Sequence, residues 1–202
     1  KSGKIELPDN KKVAVAICCS FEGQSVYTDD AGHTTQFLAS YGENDAIMCV
    51  PRILDALEKY GIRATFFIPG HTVDTFSEIC KEIAARGHEI ACKGYNARDI
   101  QSMDAAEEER MLQLAITSMK KIGIEPKGFR TPSCNISVNT LPLLEKYGFT
   151  YDSSLMGNDL NPYYPRPATF VDDKSAVQFG EPFKILELPH SLHLDNYPFY
   201  EH

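Results

Sequence analysis

The sequence predicts an α/β fold in which a parallel sheet is wound into a distorted (β/α) barrel. Short apolar runs typical of strands alternate with helical patterns along the 202 residues. The strand–helix units repeat about every 30 residues, which is typical of parallel strands joined by right-handed crossovers. No glycine-rich phosphate loop follows the first strand, and this favours a barrel over a dinucleotide-binding sheet.

Six segments have the continuous apolar character of strands that are buried on both faces. In chain order, the predicted strands are 13–21, 64–68, 89–92, 127–130, 149–152 and 185–189. The segment 162–175, with three prolines and two aspartates, is predicted to be a surface excursion before the last strand.

Four segments show the apolar spacing of helices and carry start or stop signals. They are 50–60, 72–86, 103–122 and 139–147. Gly61 is predicted to end the first helix, and Asn139 to cap the last. The residues predicted to face the core are Ile53, Leu54, Leu57, Phe76, Ile79, Cys80, Ile83, Met111, Leu112, Ala115, Ile116 and Met119.

Composition excludes several classes of protein. A net charge of −8 argues against a nucleic-acid surface. No apolar run approaches the roughly 18 residues of a membrane span, and residues 1–12 lack a signal-peptide core. The six cysteines show no C-x-x-C spacing. They predict reduced thiols and a cytoplasmic protein, although a secreted protein trimmed of its leader would share this pattern.

The predicted topology also predicts where the chemistry lies. In a parallel barrel, functional residues follow the C-terminal ends of the strands. Those ends carry Ser20, Glu22, Gly70, His71, the segment 93–96, Arg130, Asp152 and the segment 190–195. We therefore expect these residues, which are distant in sequence, to gather on one rim.

The segment Gly87-His88-Glu89-Ile90-Ala91-Cys92-Lys93-Gly94-Tyr95-Asn96-Ala97 resembles the second motif of the polysaccharide deacetylase family, G-H-E-I-A-x-H-G-Y-x-H. Other segments resemble further family motifs in the same order: 20–26 the first motif, F-D-x-D-G-x-S; 64–71 the second strand; and 128–133 the R-x-P motif. The segments 151–159 and 186–195 are similar to a branch with peptidoglycan-deacetylase-like proteins and allantoinase-like cyclic-amide hydrolases. The resemblance implies one deacetylase-like domain over 1–202, with the family's last motif expected beyond His202, so that the domain is C-terminally incomplete.

The resemblance also implies roles for particular residues. The family holds a divalent metal such as zinc with the last two histidines of the second motif, where this chain has Lys93 and Ala97. Ser20 stands at the position of the catalytic base, and Glu22 at that of a metal-ligating aspartate. Arg130 matches the arginine that orients the base. Zinc usually needs three protein ligands, so we expect no retained metal or other cofactor. The predicted catalytic residues are Ser20, Glu22, Arg130 and Lys93.

By resemblance, the expected function is hydrolysis of a non-peptide carbon–nitrogen bond in an N-acetyl sugar or a cyclic amide. The predicted substrate-binding residues are Tyr95, Pro132, Asp152, His190, His193 and Asp195. The alternative is a non-catalytic family member that binds a carbohydrate or small ligand in the same cleft. The expected partner is a small-molecule or carbohydrate substrate, with neither nucleic acid nor membrane, and the branch suggests a homo-oligomer.

Lys93 carries a further prediction about charge. Glu22 and Lys93 are expected to project toward one rim, with the lysine nitrogen within roughly 4 Å of a Glu22 oxygen. The lysine would then stand in electrostatically for the missing cation. In the alternative, Lys93 points into water, and Glu22 pairs with Arg130 or with backbone groups.

Overall fold

The computed structural model describes residues 7–28, 33–169, 174–191 and 194, and its centre is a parallel sheet of six strands. Eight strands lie in the described ranges, and six of them form this sheet. In chain order they are β1 Cys18–Ser20, β2 Thr65–Ile68, β3 Glu89–Cys92, β4 Gly128–Phe129, β5 Tyr151–Asp152, β6 Ala168–Thr169, β7 Gln178–Phe179 and β8 Leu186–Glu187. The sheet order is β1-β2-β3-β4-β5-β8, while β6 and β7 form a separate antiparallel pair.

Six α-helices occupy the described ranges, most of them in the crossovers between strands. They are α1 Gln36–Asn44, α2 Val50–Lys59, α3 Gly70–Thr75, α4 Ser77–Ala85, α5 Ala105–Lys121 and α6 Thr140–Lys146. A π-helical segment, Asp45–Cys49, joins α1 to α2. Shorter 3₁₀ segments are Pro8–Asn10, Gly23–Tyr27 and Ile100–Ser102.

The order of the strands confirms the predicted parallel α/β architecture. Each strand pairs with the next one along the chain, apart from the β6–β7 pair. The described sheet has no reversal of order of the kind that creates the ligand crevice of doubly wound folds. Consecutive winding of this kind is what a (β/α) barrel requires. Within the described ranges β1 and β8 are the two edges of the sheet.

The hydrophobic core lies between the sheet and its helices. Leu54 of α2, Ile83 of α4, Met119 of α5 and Leu144 of α6 all have zero exposed surface. The predicted stripe of α5 is confirmed for four of its residues, while Ile116 is only partly buried. Asp104 caps α5 by accepting a hydrogen bond from the Glu107 amide at 2.9 Å.

The first strand is much shorter than predicted. The run 13–21 was expected to be buried on both faces, but β1 covers only Cys18–Ser20. Val13 and Val15 are 74% and 78% exposed. Because β1 is an edge strand in the described sheet, the residues before it have no second strand to cover them.

Helix details also differ from the prediction. Ile53 is 36% exposed, because Val50 rather than Ile53 completes the buried stripe with Leu54 and Leu57. The helix predicted over 72–86 is broken at Phe76, whose backbone is non-helical (φ −124°, ψ 48°). The Asn139 side chain makes no capping hydrogen bond to α6. Helix α1 was not predicted. Gly61 ends α2 as expected, with φ +62°.

Across the described ranges, every helix is too short or too polar to cross a membrane.

Candidate active site

Three of the residues predicted from strand ends meet in space: Ser20, Glu22 and Lys93. The Lys93 Nζ donates a hydrogen bond to Ser20 Oγ at 3.2 Å and forms an ion pair with Glu22 Oε1. The side chains of Lys93 and Glu22 are 7% and 19% exposed. The predicted contact between Lys93 and Glu22 is confirmed, and Lys93 does not point into water.

Strand register explains why these residues meet. Ser20 on β1 pairs with Phe67 on β2, which in turn pairs with Ala91 on β3. Paired residues of parallel strands face the same side of the sheet, and so do residues two apart along a strand. Lys93, two residues after Ala91, therefore faces the same side of the sheet as Ser20. Its long side chain spans the gap to β1.

The backbone of Glu22 is fixed by a cluster of hydrogen bonds. Its carbonyl accepts from Thr72 Oγ1 at 2.5 Å, from Ser25 Oγ at 2.7 Å and from the Ser25 amide at 3.1 Å. Gly23 follows with φ +53°, where an added Cβ would lie 3.0 Å from the Phe76 ring. A glycine is needed there, and the turn it makes aims the Glu22 carboxylate back toward Lys93.

A second acid, missed by the sequence analysis, lies near this pair. Asp45 begins the π-helical segment. Burial raises the pKa of its carboxyl group, and the charge of Glu22 adds a smaller contribution in the same direction. A hydrogen bond from the Gly23 amide opposes this shift. The π-helix was the signal that could have drawn attention to it, since such segments are frequent at functional sites.

The donor set around Lys93 does not fit the divalent metal that the family resemblance implies. The Lys93 nitrogen already contacts the Glu22 carboxylate, and an ammonium has no lone pair to offer a metal. Ala97 offers only a methyl group. Over the ranges that the structure describes, no three His, Cys, Asp or Glu side chains are grouped to hold a metal ion.

Arg130 directly follows β4, the strand that pairs with β3, and is 7% exposed. Its Nε donates to the Ser153 carbonyl at 3.0 Å and its Nη2 to Ser153 Oγ at 2.9 Å. The guanidinium carbon lies 4.0 Å from the centre of the Phe67 ring. These contacts fix Arg130 at the rim. Its role in catalysis stays a prediction, because the aspartate it would orient is replaced by Ser20.

Asp152 lies beneath the rim rather than on it, with no exposed surface. Its partner in the sheet is Glu187, which is also fully buried and which the sequence analysis did not single out. Burial, followed by the charge of Asp152, raises the pKa of Glu187 to about 9. The available signal was a carboxylate inside the otherwise apolar run 185–188.

Tyr95 and Pro132 line one small cavity of about 30 Å³ between the loop after β3, α5 and α6. The Tyr95 hydroxyl donates to Asp74 Oδ2 at 3.5 Å. Partial burial, followed by the charge of Asp74, raises the pKa of Tyr95, which keeps its hydroxyl a neutral donor. The His71 ring meets the Tyr95 ring edge-on at 6.3 Å.

The remaining predicted substrate contacts lie near the end of the chain. His190 is half-buried, and its amide donates to the Leu155 carbonyl at 3.2 Å. His193 and Asp195 lie outside the described residues. The substrate-binding roles of Tyr95, Pro132, Asp152 and His190 stay predictions.

Comparison with known proteins gives a consistent result. The family model for polysaccharide deacetylase matches residues 44–151. A peptidoglycan deacetylase from Helicobacter pylori is 33% identical over 197 residues, a match that covers 85% of this chain and 66% of the relative. The peptidoglycan deacetylase-like protein FGM2 from Gibberella zeae is 32% identical, with 94% and 61% covered. The chain thus spans less than two thirds of these relatives' length.

Solved structures share the fold. A protein assigned to the polysaccharide deacetylases, from Mycobacterium smegmatis, superposes with a TM-score of 0.80 at 32% identity, covering 96% of this chain and 64% of that one. Puue allantoinase superposes with a TM-score of 0.73 at 23% identity, covering 92% and 64%. At that identity, the allantoinase likeness concerns the fold alone.

Proposed function

Because the chain belongs to the polysaccharide deacetylase family, we propose that it hydrolyses a non-peptide carbon–nitrogen bond, removing the acetyl group from an N-acetylated sugar. The observation that carries this proposal is the contact of Lys93, at the end of β3, with both Glu22 and Ser20, at the end of β1. A polysaccharide such as peptidoglycan is the proposed substrate class, since two of the similar proteins are a peptidoglycan deacetylase and a peptidoglycan deacetylase-like protein.

Glu22 is the proposed general base. Its carboxylate takes a proton from water while the water oxygen attacks the amide carbonyl carbon, forming a tetrahedral intermediate. The same proton then passes from Glu22 to the leaving nitrogen, and the carbon–nitrogen bond breaks to give a free amine and acetic acid, whose proton the amine takes up to leave an ammonium and acetate. The atoms of the substrate and one water balance without any further reactant.

Lys93 is the proposed electrophile. Negative charge develops on the carbonyl oxygen during attack, and an ammonium held in a nearly water-free position stabilises that charge. Only 6% of Lys93 is exposed, so water screens its charge weakly. A single positive charge polarises a carbonyl less than a divalent ion does, and we expect slow turnover. Ser20 accepts a hydrogen bond from the Lys93 ammonium and fixes its direction.

The test is acetate release from N-acetylglucosamine oligomers and peptidoglycan fragments, with cyclic ureides as a second substrate panel. Lys93→Met should reduce turnover by about 10²-fold, the usual cost of losing one oxyanion donor. Lys120→Met, which removes an exposed lysine of α5, is the matched control and should leave turnover unchanged. Thermal unfolding of each variant separates a lost site from a lost fold.

Two outcomes would contradict the proposal. Sugar binding without acetate release in the wild-type protein would favour the non-catalytic family member. Equal turnover in Lys93→Met and wild type would leave the lysine without a role.

The proposal also includes the cellular location and the oligomeric state of the protein. None of the six cysteines forms a disulfide bond in the structure, which agrees with the cytoplasmic location predicted from their spacing. A homo-oligomer follows from the resemblance, and sedimentation of the purified chain measures it directly.

A further inference from the structure

Two carboxyl groups face each other inside the sheet, away from the Lys93 site. Asp152 on β5 and Glu187 on β8 are paired residues in the parallel register, so their side chains lie on the same side. Both have zero exposed surface. Neither residue has a place in the proposed reaction.

The hydrogen bonds of these two carboxyls leave one oxygen of each without a donor. Asp152 Oδ1 accepts from Ser154 Oγ at 2.8 Å, and Glu187 Oε1 accepts from the Leu155 amide at 2.9 Å. Among the described residues, no donor reaches Asp152 Oδ2 or Glu187 Oε2. Two adjacent buried anions, each with one oxygen that lacks a donor, would be strongly unfavourable, whereas one proton between them satisfies both of these oxygens.

We propose that Asp152 and Glu187 share one proton at neutral pH and form a pH-sensitive clasp between β5 and β8. No step of the proposed deacetylation is needed to form the clasp, so the two proposals are tested separately. Its ligand is a proton, and its effect is to make the pairing of the β8 edge strand depend on pH.

The surroundings of the pair support a shared proton. Burial is the main cause that raises the pKa of both acids. Tyr163, which bridges to Glu187 through the backbone, also faces the pair, and its own pKa is raised by burial and by the charges of the two acids. Arg130 on the adjoining strand directs its Nε and Nη2 to Ser153. The proton is therefore the charge that compensates the pair.

The clasp is connected to the rim by a short hydrogen-bond chain. Ser154 Oγ donates to Asp152 and accepts from the Thr131 amide at 2.9 Å. Thr131 follows Arg130 directly and precedes Pro132. Loss of the shared proton would consequently disturb both the β5–β8 pairing and the segment that carries Arg130.

The sign of the pH dependence follows from the raised pKa. The ordinary pKa of a glutamate is 4.5, and burial, followed by the charge of Asp152, raises the pKa of Glu187 in the fold to about 9. Between these values the native state binds more protons than the unfolded state, so stability falls as pH rises. Below the lower value both states are protonated, and the pair imposes no cost.

The experiment compares the unfolding temperatures of wild type and Glu187→Gln, both as the full chain, at about pH 5, 7 and 9. A glutamine can donate to Asp152 and accept from Leu155, so it imitates the protonated acid. We expect Glu187→Gln to lose less stability than wild type as pH rises. Glu125→Gln, at an exposed glutamate, should follow the wild-type curve. Parallel curves for Glu187→Gln and wild type would overturn the clasp.

Infrared spectroscopy gives a second readout that does not depend on stability. At neutral pH the wild type should show the carbonyl band of a protonated carboxylic acid, and the double variant Asp152→Asn/Glu187→Gln should remove it. Absence of that band from the folded wild type would refute the shared proton. Calcium or manganese that stabilises wild type but not Glu187→Gln would also refute it, by showing that the pair binds a metal cation instead.

Discussion

At the scale of single residues, Lys93 stands where the family motif has a metal-binding histidine, and this replacement changes the source of positive charge at the site. A neutral imidazole recruits an external cation, whereas a lysine carries its cation on its own side chain. In this protein the ammonium pairs with Glu22 and is almost fully buried. The positive charge at the site is therefore fixed by the sequence and does not depend on metal supply.

The first prediction concerns zinc. Purified wild type, dialysed without chelator, should hold much less than one equivalent, because Lys93 occupies the Glu22 carboxylate and Ala97 supplies no ligand. Lys93→His combined with Ala97→His should bind zinc much more tightly, since Glu22 and two imidazoles make three ligands. Zinc titration followed by elemental analysis measures both.

The control for zinc is Lys93→Met combined with Ala97→His, which frees Glu22 but provides only one imidazole. It should bind zinc more weakly than the double histidine variant. One full equivalent in wild type, lost on Glu22→Gln, would contradict the prediction.

Residues at strand ends were the most predictable part of the site. Ser20, Glu22 and Lys93 were placed together because parallel strands end on one rim, and the register brings them into contact. Glu187 was missed because an acid within an apolar strand gives no indication of its partner before the register is known. Asp45 was missed because no element or site residue was predicted between the first motif, which ends at residue 26, and the helix that begins at residue 50.

At the scale of elements, the close packing of α3 on α5 controls where the rim residues sit. An added Cβ on Gly70 would lie 2.7 Å from the Ala115 Cα and 2.8 Å from the Tyr95 ring. Asp74 of α3 accepts from Ser118 Oγ at 2.7 Å and pairs with Lys121 Nζ at 2.8 Å. The two helices are thus joined at both a steric and a polar contact.

The corresponding prediction is that Gly70→Ala destabilises the fold by about 1–3 kcal/mol, the usual cost of overpacking a tight contact. Gly123→Ala is the control, because Gly123 has φ +80° but open space around a Cβ, and it should cost about 1 kcal/mol through backbone strain alone. Urea unfolding measures both. A smaller loss in Gly70→Ala than in Gly123→Ala would show that α3 moves freely on α5.

Elements were predictable where one pattern dominated. The stripe of α5 is regular, and its caps are strong, so its position was correct within two residues at the N-terminal end. The helix break at Phe76 was not predictable from spacing, since Phe76, Ile79, Cys80 and Ile83 fit one continuous helix. The backbone turns there because α3 follows the contact with α5, while α4 follows the sheet.

At the scale of the whole molecule, the reactivity of the cysteine thiols tests the proposed cellular location. All six cysteines should react with a thiol reagent after denaturation without reductant, because none of them forms a disulfide bond in the structure. Cys80 and Cys92 have zero exposed surface, and burial raises the pKa of each to about 12. They should therefore react only after unfolding.

Counting thiols before and after denaturation checks this prediction. A fully reduced sample is the control and sets the maximum signal. Two or fewer reactive thiols in the denatured, unreduced protein would show disulfides and would contradict the proposed cytoplasmic location.

The consecutive order of the strands also bears on how the chain assembles. Each strand from β2 to β5 can dock on the one made just before it, without waiting for a distant segment. During synthesis, which proceeds from the N-terminus, the sheet can therefore grow strand by strand as the chain emerges. Lys93 would meet Glu22 before β4 exists, so the charge pair would help to hold an early, three-stranded intermediate.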